Sequence, residues 1–134
     1  MSLIHKVPYF GYEEECKKLV KEEKIRFAGI IDKDGTVVAG GFKMGIIPLE
    51  KNMFRLEEFM EFVSEISQRK AFDDSLGSIN YLASRRDKII LISFPLPLTE
   101  LTLLISADCT LNIERLASHV VDVFDSEQSR FTER

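Results

Sequence analysis

Residue types that carry chemistry are scarce in this 134-residue sequence, which has two cysteines, two histidines and no tryptophan. Cys16 and Cys109 stand far apart and neither has a CxxC partner, which excludes a disulfide framework and a cysteine zinc site. Every apolar run is interrupted before the roughly 20 residues that a membrane-spanning helix needs. The start, MSLIHKVPYFGYEEE, lacks the apolar segment of a signal peptide. We therefore expect a cytoplasmic protein with reduced thiols and no membrane span.

Catalytic motifs are also missing. The sequence has no GxSxG and no HExxH, and His5 and His119 are its only imidazole bases. Cys109 precedes His119 by ten residues, but its place between a strand and a helix favours packing as a small apolar group. A reactive thiol, activated by the helix N-terminus, is the alternative. We predict a protein that is not an enzyme, with no catalytic residue, no cofactor and no metal.

The segment Asp32-Lys33-Asp34-Gly35 has closely spaced acids before a glycine, as a calcium loop does. An EF-hand counted from Asp32 needs glycine at its sixth position and glutamate at its twelfth, where this sequence has Val37 and Lys43. The residue types instead suit a type I turn with Gly35 as a left-handed bulge residue. We predict a hairpin turn.

The pair Gly40-Gly41 falls in the second strand of this hairpin. No Gly-Lys-Ser/Thr and no GxGxxG is present, which excludes a phosphate loop of either type. If Ile31 pairs with Thr36, Ala28 lies opposite Ala39, and the glycines complete a shallow patch of small residues. Such a patch predicts close packing of a helix or loop, and a ligand-sized hollow is the alternative.

What the sequence does contain is the composition of a globular protein, with 45% hydrophobic residues, 30% charged residues and a net charge of −4. No linker or repeat divides it, and a chain of this length can bury one core. We predict a single domain over 1–134 with an ordered core at about 12–124, and a polar tail from Asp125 that frays. The acidic balance gives no general attraction to nucleic acid.

The order of hydrophobic patterns predicts an α+β domain. Short runs rich in β-branched and aromatic residues are typical of strands, and longer amphipathic segments are typical of helices. The predicted elements are a first helix capped by Gly11, strands 25–31 and 36–44, a second helix from about Asn52 to Asp74 closed by Gly77, strands 78–84, 88–94 and 101–107, and a last helix capped by Thr110 or Asn112. Short links make the sheet antiparallel, and nearly continuous apolar strands place helices on both faces. The predicted order is α-β-β-α-β-β-β-α, with a five-stranded antiparallel sheet.

The second helix has more apolar surface than packing on one sheet requires. Its apolar arc spans ~160°, whereas a stripe of roughly 100° covers a sheet. We expect Leu56, Phe59, Val63 and Ile66 to face the sheet, with Phe62 and Met60 at the two margins. The third strand is the most polar and therefore the expected exposed edge, whose unpaired backbone groups invite pairing with a second copy. The hypothesis is a two-fold homodimer with the interface residues Leu56, Phe59, Phe62, Val63, Ile66, Ile79 and Tyr81.

Arg85, Arg86 and Lys88 form a compact basic cluster between the third and fourth strands. A solvated turn is the simplest interpretation, and a contact of Arg85 and Arg86 with an acidic partner is the alternative. Nucleic-acid binding would need a broader basic face with interleaved aromatic residues, which the sequence lacks.

The element order resembles that of the roadblock (dynein light chain) family. The resemblance rests on IRFAGIIDKDGTVVAGG and LTLLISADCTLNIERLASHVVDVF and covers about 12–124. Through KIRFAGIIDKDGTVVAGG and SRRDKIILISFPL the chain is also similar to a small family of uncharacterised archaeal proteins. It departs from roadblock proteins at 44–53, where MGIIPLEKNM makes a long link that contains a proline.

The roadblock resemblance implies a five-stranded antiparallel sheet with helices on both faces, and dimers formed through the second helix and the third strand. It also implies a regulator or scaffold for small GTPases and motor complexes. Related layouts occur in profilin-like and PAS/GAF-type domains. The alternative function is therefore a sensor that binds a small apolar or anionic ligand between the sheet and a helix.

Overall fold

The computed structural model describes the backbone of residues 2–132 and the side chains of residues 11–124. Within these residues the chain alternates helices and strands in the predicted order, with one additional short helix. The elements are α1 (Ser2–Leu19), β1 (Ile25–Ile31), β2 (Val37–Phe42), α2 (Met53–Ser67), α3 (Asp73–Leu76), β3 (Leu82–Arg85), β4 (Ile90–Pro95), β5 (Thr102–Ala107) and α4 (Ile113–Thr132).

The five strands form one antiparallel sheet in the order β2-β1-β5-β4-β3. The most apolar strands, β1, β5 and β4, occupy its interior, while β2 and β3 form its two edges. Both the antiparallel sheet and the placement of the polar third strand at an edge confirm the prediction.

Helices cover both faces of the sheet, as predicted. On one face α1 and α4 build the larger core, to which Cys16 and Val120 contribute. On the other face α2 packs Met60 and Val63 against Phe27, Ile31 and Leu104 in a smaller core. Among the described residues, one face is therefore packed by two helices, α1 and α4, and the core of the other face is formed with α2.

The turn between β1 and β2 confirms the hairpin prediction. Asp32 Oδ1 accepts hydrogen bonds from the backbone of Asp34 (2.9 Å) and Thr36 (3.0 Å). The Gly35 N–H donates to Asp32 O at 3.0 Å, and Gly35 has φ +83°, a conformation that favours glycine. The turn also packs on α2, because Ser64 Oγ donates to Asp32 O at 2.9 Å.

The predicted register of this hairpin is wrong. Ile31 pairs with Val37 rather than Thr36, and Ala28 lies opposite Gly41 rather than Ala39. The ladder shifts between Ile30 and Ile31, since a bulge inserts one additional residue into β2. The predicted register assumed an unbroken ladder from Ile31 to Ala28, and the additional residue in β2 shifts that pairing.

The first helix begins at Ser2, so the prediction that Gly11 caps it is wrong. A glycine inside a helix costs only about 1 kcal/mol relative to alanine. Burial of Tyr12, Cys16 and Leu19 against the larger core offsets that cost. The predicted limits of the ordered core remain a prediction, because the side chains before 11 and after 124 lie outside the described residues.

The second helix begins as predicted and ends earlier. Asn52 Oδ1 accepts hydrogen bonds from the first turn, but the helix ends at Ser67 instead of near Asp74. The next side chain, Gln68, donates from Nε2 to Leu101 O (2.8 Å) and to a threonine hydroxyl in β5, which fixes the chain at the end of the sheet. Gly77 closes the short α3 instead.

The remaining boundaries differ less. The third strand is shorter than predicted, at Leu82–Arg85 instead of 78–84. Residues 78–81 precede the strand and form no ladder pairs with β4. The last helix is capped by Asn112, whose Oδ1 accepts from Arg115 N at 3.0 Å. Of the two caps that the sequence allowed, Thr110 and Asn112, the structure therefore has Asn112.

Candidate interaction surface

A groove of about 1130 Å³ opens between α2 and the sheet. Its walls are α2, the β3–β4 turn at 85–88 and part of the link between β2 and α2 at 48–50. The large apolar side chains in its lining are Phe27, Phe42, Leu49, Leu56, Phe59, Met60, Phe62, Ile89, Leu91 and Leu104. On this face α2 covers only part of the sheet. The strands beside α2 therefore line the groove.

The orientation of α2 differs from the predicted one. Its buried residues are Met60, Val63, Ser64 and Ser67, so Met60 lies within the sheet-facing stripe and not at its margin. The two serines face inward because their hydroxyls have partners there. Ser67 Oγ donates to Ser93 Oγ at 2.7 Å, and Ser64 Oγ bonds to the β1–β2 turn. The predicted sheet-facing stripe was chosen from apolar residues alone and therefore left out both serines.

This rotation leaves an apolar flank on α2, formed by Phe59, Phe62 and Ile66. Phe59 and Ile66 are half-buried, and Phe62 is 56% exposed. The spacing of three and four residues places the three side chains on one side of the helix. Phe59 and Phe62 line the groove wall opposite the β3–β4 turn. Val63 belongs to the smaller core, and Leu56 and the buried part of Phe59 pack against it.

The edge of the sheet at β3 has β4 as its single ladder partner. Ile79 is half-buried in the segment that leads into this strand. Tyr81 is half-buried on the other face of the sheet, where its ring lies 5.7 Å from that of Phe94 and its hydroxyl donates to Glu114 of α4. The structure thus places Ile79 beside the edge and Tyr81 beneath α4.

The opposite edge, at β2, is closed by α1. The Gly40 N–H donates to Glu13 Oε1 at 2.8 Å. Gly40 has φ +77°, and a Cβ there would lie 2.8 Å from Cys16 Cβ. Ala28 and Ala39 are buried beneath the same helix. The predicted close packing is confirmed at Ala28, Ala39 and Gly40, which α1 covers. It does not extend to Gly41, where a Cβ would meet no atom within 4 Å.

The two basic residues that the sequence singled out both line the groove. Arg85 ends β3, and its Nη1 donates to Cys109 O at 2.7 Å. Arg86 lies in the exposed turn that follows, where its N–H donates to Ile89 O. The structure therefore brings this basic turn beside the apolar flank of α2.

The two thiols occupy different environments. Cys16 is fully buried, and this burial, with the charges of Glu13 and Glu15, raises its pKa to about 12. Cys109 is half-buried, and its thiol lies 3.5 Å from Arg86 O, as a weak donor. In the described contacts no hydrogen bond joins Cys109 to His119, which is exposed on α4. Among the described side chains, no three His, Cys, Asp or Glu residues converge as they would around a metal ion.

Some groove residues were not found from the sequence. Phe42 and Arg26 come from neighbouring strands, and the link at 48–50 supplies another wall. The link did carry a signal, since large apolar side chains are concentrated there and in the first turn of α2. Those that are exposed are Met44, Ile47, Leu49, Met53 and Phe54.

In the described part of the chain, no helix combines the length and the apolar content that crossing a bilayer requires.

The architecture is that of roadblock domains. MglB, a gliding protein from Thermus thermophilus, superposes with a TM-score of 0.68 at 18% identity, over 94% of this chain and 91% of that one. A Roadblock/LC7 domain from Streptomyces avermitilis gives 0.63 at 13% identity, over 87% and 93%. A structure of MglB with a tetrameric arrangement gives 0.63 at 18% identity, over 94% and 90%.

The fold class is therefore roadblock-like. At the level of sequence, residues 5–134 match the model of a family of unknown function (DUF6659), and the chain belongs to that family. No curated protein matches the chain.

Proposed function

We propose that this chain is a non-enzymatic, cytoplasmic interaction domain that forms a two-fold homodimer through α2 and β3. The observation that carries the proposal is the position of the apolar flank of α2 beside an open sheet edge. Phe62, at 56% exposed, is a large apolar side chain that a second copy would cover.

The contrast between the two edges supports the choice of β3. An open edge presents a row of unpaired N–H and C=O groups to any suitable strand. At β2 the Gly40 N–H is occupied by Glu13, and a bulge distorts the ladder. At β3 the described contacts place no such group on the outer side. Antiparallel pairing of two β3 strands would continue the sheet across a two-fold axis.

The predicted interface residues have separate roles in this dimer. Phe59, Phe62 and Ile66 would meet their counterparts across the axis, and Ile79 would lie beside the paired strands. Leu56 and Val63 would hold α2 on the sheet, and Tyr81 would fix the approach to β3 from the other face.

Sedimentation equilibrium tests the dimer directly. We expect a mass of twice 15.4 kDa at concentrations well above the micromolar range. A mass of 15.4 kDa under these conditions would refute the dimer.

Cysteine crosslinking tests the geometry. Two cysteines join only when their Cα atoms are about 4.4–6.8 Å apart. In a background with Cys109→Ser, we expect Ala83→Cys in β3 to give a crosslinked dimer on oxidation. The matched control is Val37→Cys, an exposed position on the β2 edge. Equal crosslinking of the two variants would contradict pairing through β3.

The partner class that the roadblock resemblance implies is a small GTPase, and we propose that the dimer regulates or scaffolds one. The test is titration with purified small GTPases from the same organism, loaded with GDP or with a non-hydrolysable GTP analogue. Binding that depends on the bound nucleotide would support the proposal. Absence of binding for every such GTPase would remove this partner class and leave the dimer untouched.

A further inference from the structure

We infer that a second groove, on the side of α2 that faces β2, binds an amphipathic basic segment of a partner protein. This groove measures about 680 Å³ and lies between the N-terminal part of α2 and the β1–β2 hairpin. The inference rests on the proposed interaction function and names the chemistry that the partner must present. Three observations lead to it: the position of the groove, its exposed apolar side chains and its charge.

The proposed dimer leaves the second groove uncovered. The strands β2 and β3 are opposite edges of the sheet, with β1, β5 and β4 between them. Met53, Glu57 and Glu61 follow one another at intervals of four residues and line the groove. At about 100° per residue, they lie roughly 160° around α2 from Phe62 and Ile66 of the apolar flank. The groove therefore faces away from the proposed two-fold axis.

Large apolar side chains are exposed along the second groove. Phe54 is 83% exposed and Met53 is 62% exposed, both in the first turn of α2. Val37, an exposed residue of β2, lines the hairpin side. A pocket for a small molecule encloses most of its ligand. Because these side chains remain exposed instead of enclosing a cavity, they suit a polypeptide that lies across them.

Every charged side chain in the described lining is a carboxylate. The four are Asp34, Glu57, Glu58 and Glu61, and all are exposed. Among the described side chains, none of the four forms an ion pair. The second groove thus presents four carboxylates that the chain itself does not neutralise.

The nearby cations do not cancel this charge. Arg55 pairs with Glu50 at 3.1 Å and lines the groove on the other side of α2. Lys33, in the β1–β2 turn, and Lys51, just before α2, are exposed and lie outside the lining of the second groove. In the described contacts neither lysine forms an ion pair with a carboxylate of this groove.

The charge selects the class of partner. Four carboxylates repel nucleic acid, an anionic membrane and a second copy of this chain, whose net charge is −4, and they attract a basic segment. Glu57 and Glu61 are one helical turn apart, about 6 Å along α2. Lysines at positions i and i+4 of a helix beside α2 have the same spacing. The apolar stripe of such a helix would contact Met53 and Phe54.

A designed peptide tests the inference. The probe is a fluorescent helix of about 18 residues with leucines along one stripe and lysines flanking it. One control replaces the lysines with glutamates, and a second disperses the leucines around the helix. In fluorescence anisotropy we expect the basic probe to bind at least about tenfold more tightly than either control, and to weaken as salt is raised. Equal affinity for the basic probe and either control would overturn the inference.

Charge reversal locates the site. Glu57→Lys with Glu61→Lys changes two exposed carboxylates of the groove, and we expect it to weaken the basic probe at least about tenfold. The matched control is Glu22→Lys with Glu23→Lys, which alters the net charge equally at exposed positions in the turn after α1. An equal loss in both variants would mean that overall charge governs binding, which would contradict the proposal.

An apolar truncation tests the other half of the site. We expect Phe54→Ala to weaken the basic probe at least about fivefold, because the probe would lose an apolar contact. The control is Phe72→Ala, at a phenylalanine that is 69% exposed beside α3 and outside the groove. The control should bind the probe as the wild type does. Equal affinity of the two variants would contradict an apolar contact at Phe54.

Sedimentation of the same proteins separates this inference from the proposed dimer. If the wild-type chain is a monomer but binds the basic probe through the second groove, the dimer fails and the groove stands. If the chain is a dimer and shows no binding at about 100 µM probe, the groove proposal fails alone. Dissociation of the dimer by Glu57→Lys with Glu61→Lys would assign this side of α2 to self-association and overturn the partner assignment.

Discussion

The two edge strands of the sheet, β2 and β3, meet their surroundings differently. At β2, α1 crosses the strand, Glu13 accepts the Gly40 N–H, and a bulge interrupts the ladder. At β3 the strand is four residues long, and α2 presents the half-buried Phe59 and the exposed Phe62 on the same face of the sheet. One edge is occupied by the chain itself, and the other is left accessible.

The difference shows that an edge can be protected by a distant part of the chain. Glu13 is 27 residues away from Gly40 in sequence. Proteins avoid unintended edge pairing with bulges, charges or covering elements, and β2 has examples of all three.

Gly40→Ala should disrupt the closed edge most. Gly40 has φ +77°, and an added Cβ would lie 2.2 Å from Ala28 O and 2.8 Å from Cys16 Cβ. Backbone and helix would both have to move, so we expect a loss of about 3–5 kcal/mol in the free energy of unfolding measured with urea. Gly45→Ala is the control, because Gly45 also has positive φ but no atom lies within 4 Å of its Cβ position. That variant should lose only about 1–2 kcal/mol. Similar losses would show that contact with α1 is unimportant.

Phe62→Glu should weaken the proposed association through α2 and β3. In the proposed dimer, a carboxylate at this position of each copy would be buried among apolar side chains without a cationic partner. We expect the dimer dissociation constant to rise at least 100-fold, about 2.8 kcal/mol, in sedimentation experiments. Val121→Glu, at an exposed apolar residue of α4, provides the comparison and should leave the dimer intact. Dissociation by both substitutions would remove the argument for α2.

Raised pH should loosen α1 from β2 through Cys16. Its pKa lies near 9 as an ordinary thiol and at about 12 in the folded chain. The folded state therefore favours the neutral thiol, so the stabilisation is complete below about pH 9 and is lost as the pH rises towards 12. We expect a loss of about 2 kcal/mol by pH 11, measured as the difference between the wild type and Cys16→Ala. Parallel pH profiles for the two proteins would contradict this assignment.

Glu13→Ala should have the smallest effect and the most specific one. Loss of the acceptor leaves the Gly40 N–H free at an edge, and a hydrogen bond to a charged group contributes about 1.5–3 kcal/mol. We expect a loss of about 1.5 kcal/mol by urea unfolding, with more light scattering on mild heating. Glu13→Gln retains an acceptor oxygen and should restore most of the stability. An alanine variant as stable and as soluble as the glutamine variant would show that Glu13 does not close the edge.

Features fixed by neighbouring residues were predictable. The β1–β2 turn depends on Asp32 and Gly35, whose side chain and φ angle act within five residues. The start of α2 depends on Asn52, which caps the next turn. The interior positions of β4 and β5 and the edge position of β3 followed from apolar content, because strands in the middle of a sheet are buried on both faces.

Features fixed by contacts between residues far apart in the chain could not be predicted from the sequence. The end of α2 depends on Gln68, which bonds to β5 more than thirty residues later. The rotation of α2 depends on Ser64 and Ser67, which look polar in sequence and find buried partners only in the fold. The groove was missed for the same reason, since Arg26 and Phe42 meet the β3–β4 turn only after the sheet has formed.

The element order, the α+β class and the surplus of apolar surface on α2 can be predicted from the chain, because each depends on local propensity and periodicity. Which edge is closed, how α2 is rotated and where the groove lies were visible only in the folded chain. These depend on pairs such as Glu13 with Gly40, and a hydrogen bond across the fold has no local signature in the chain.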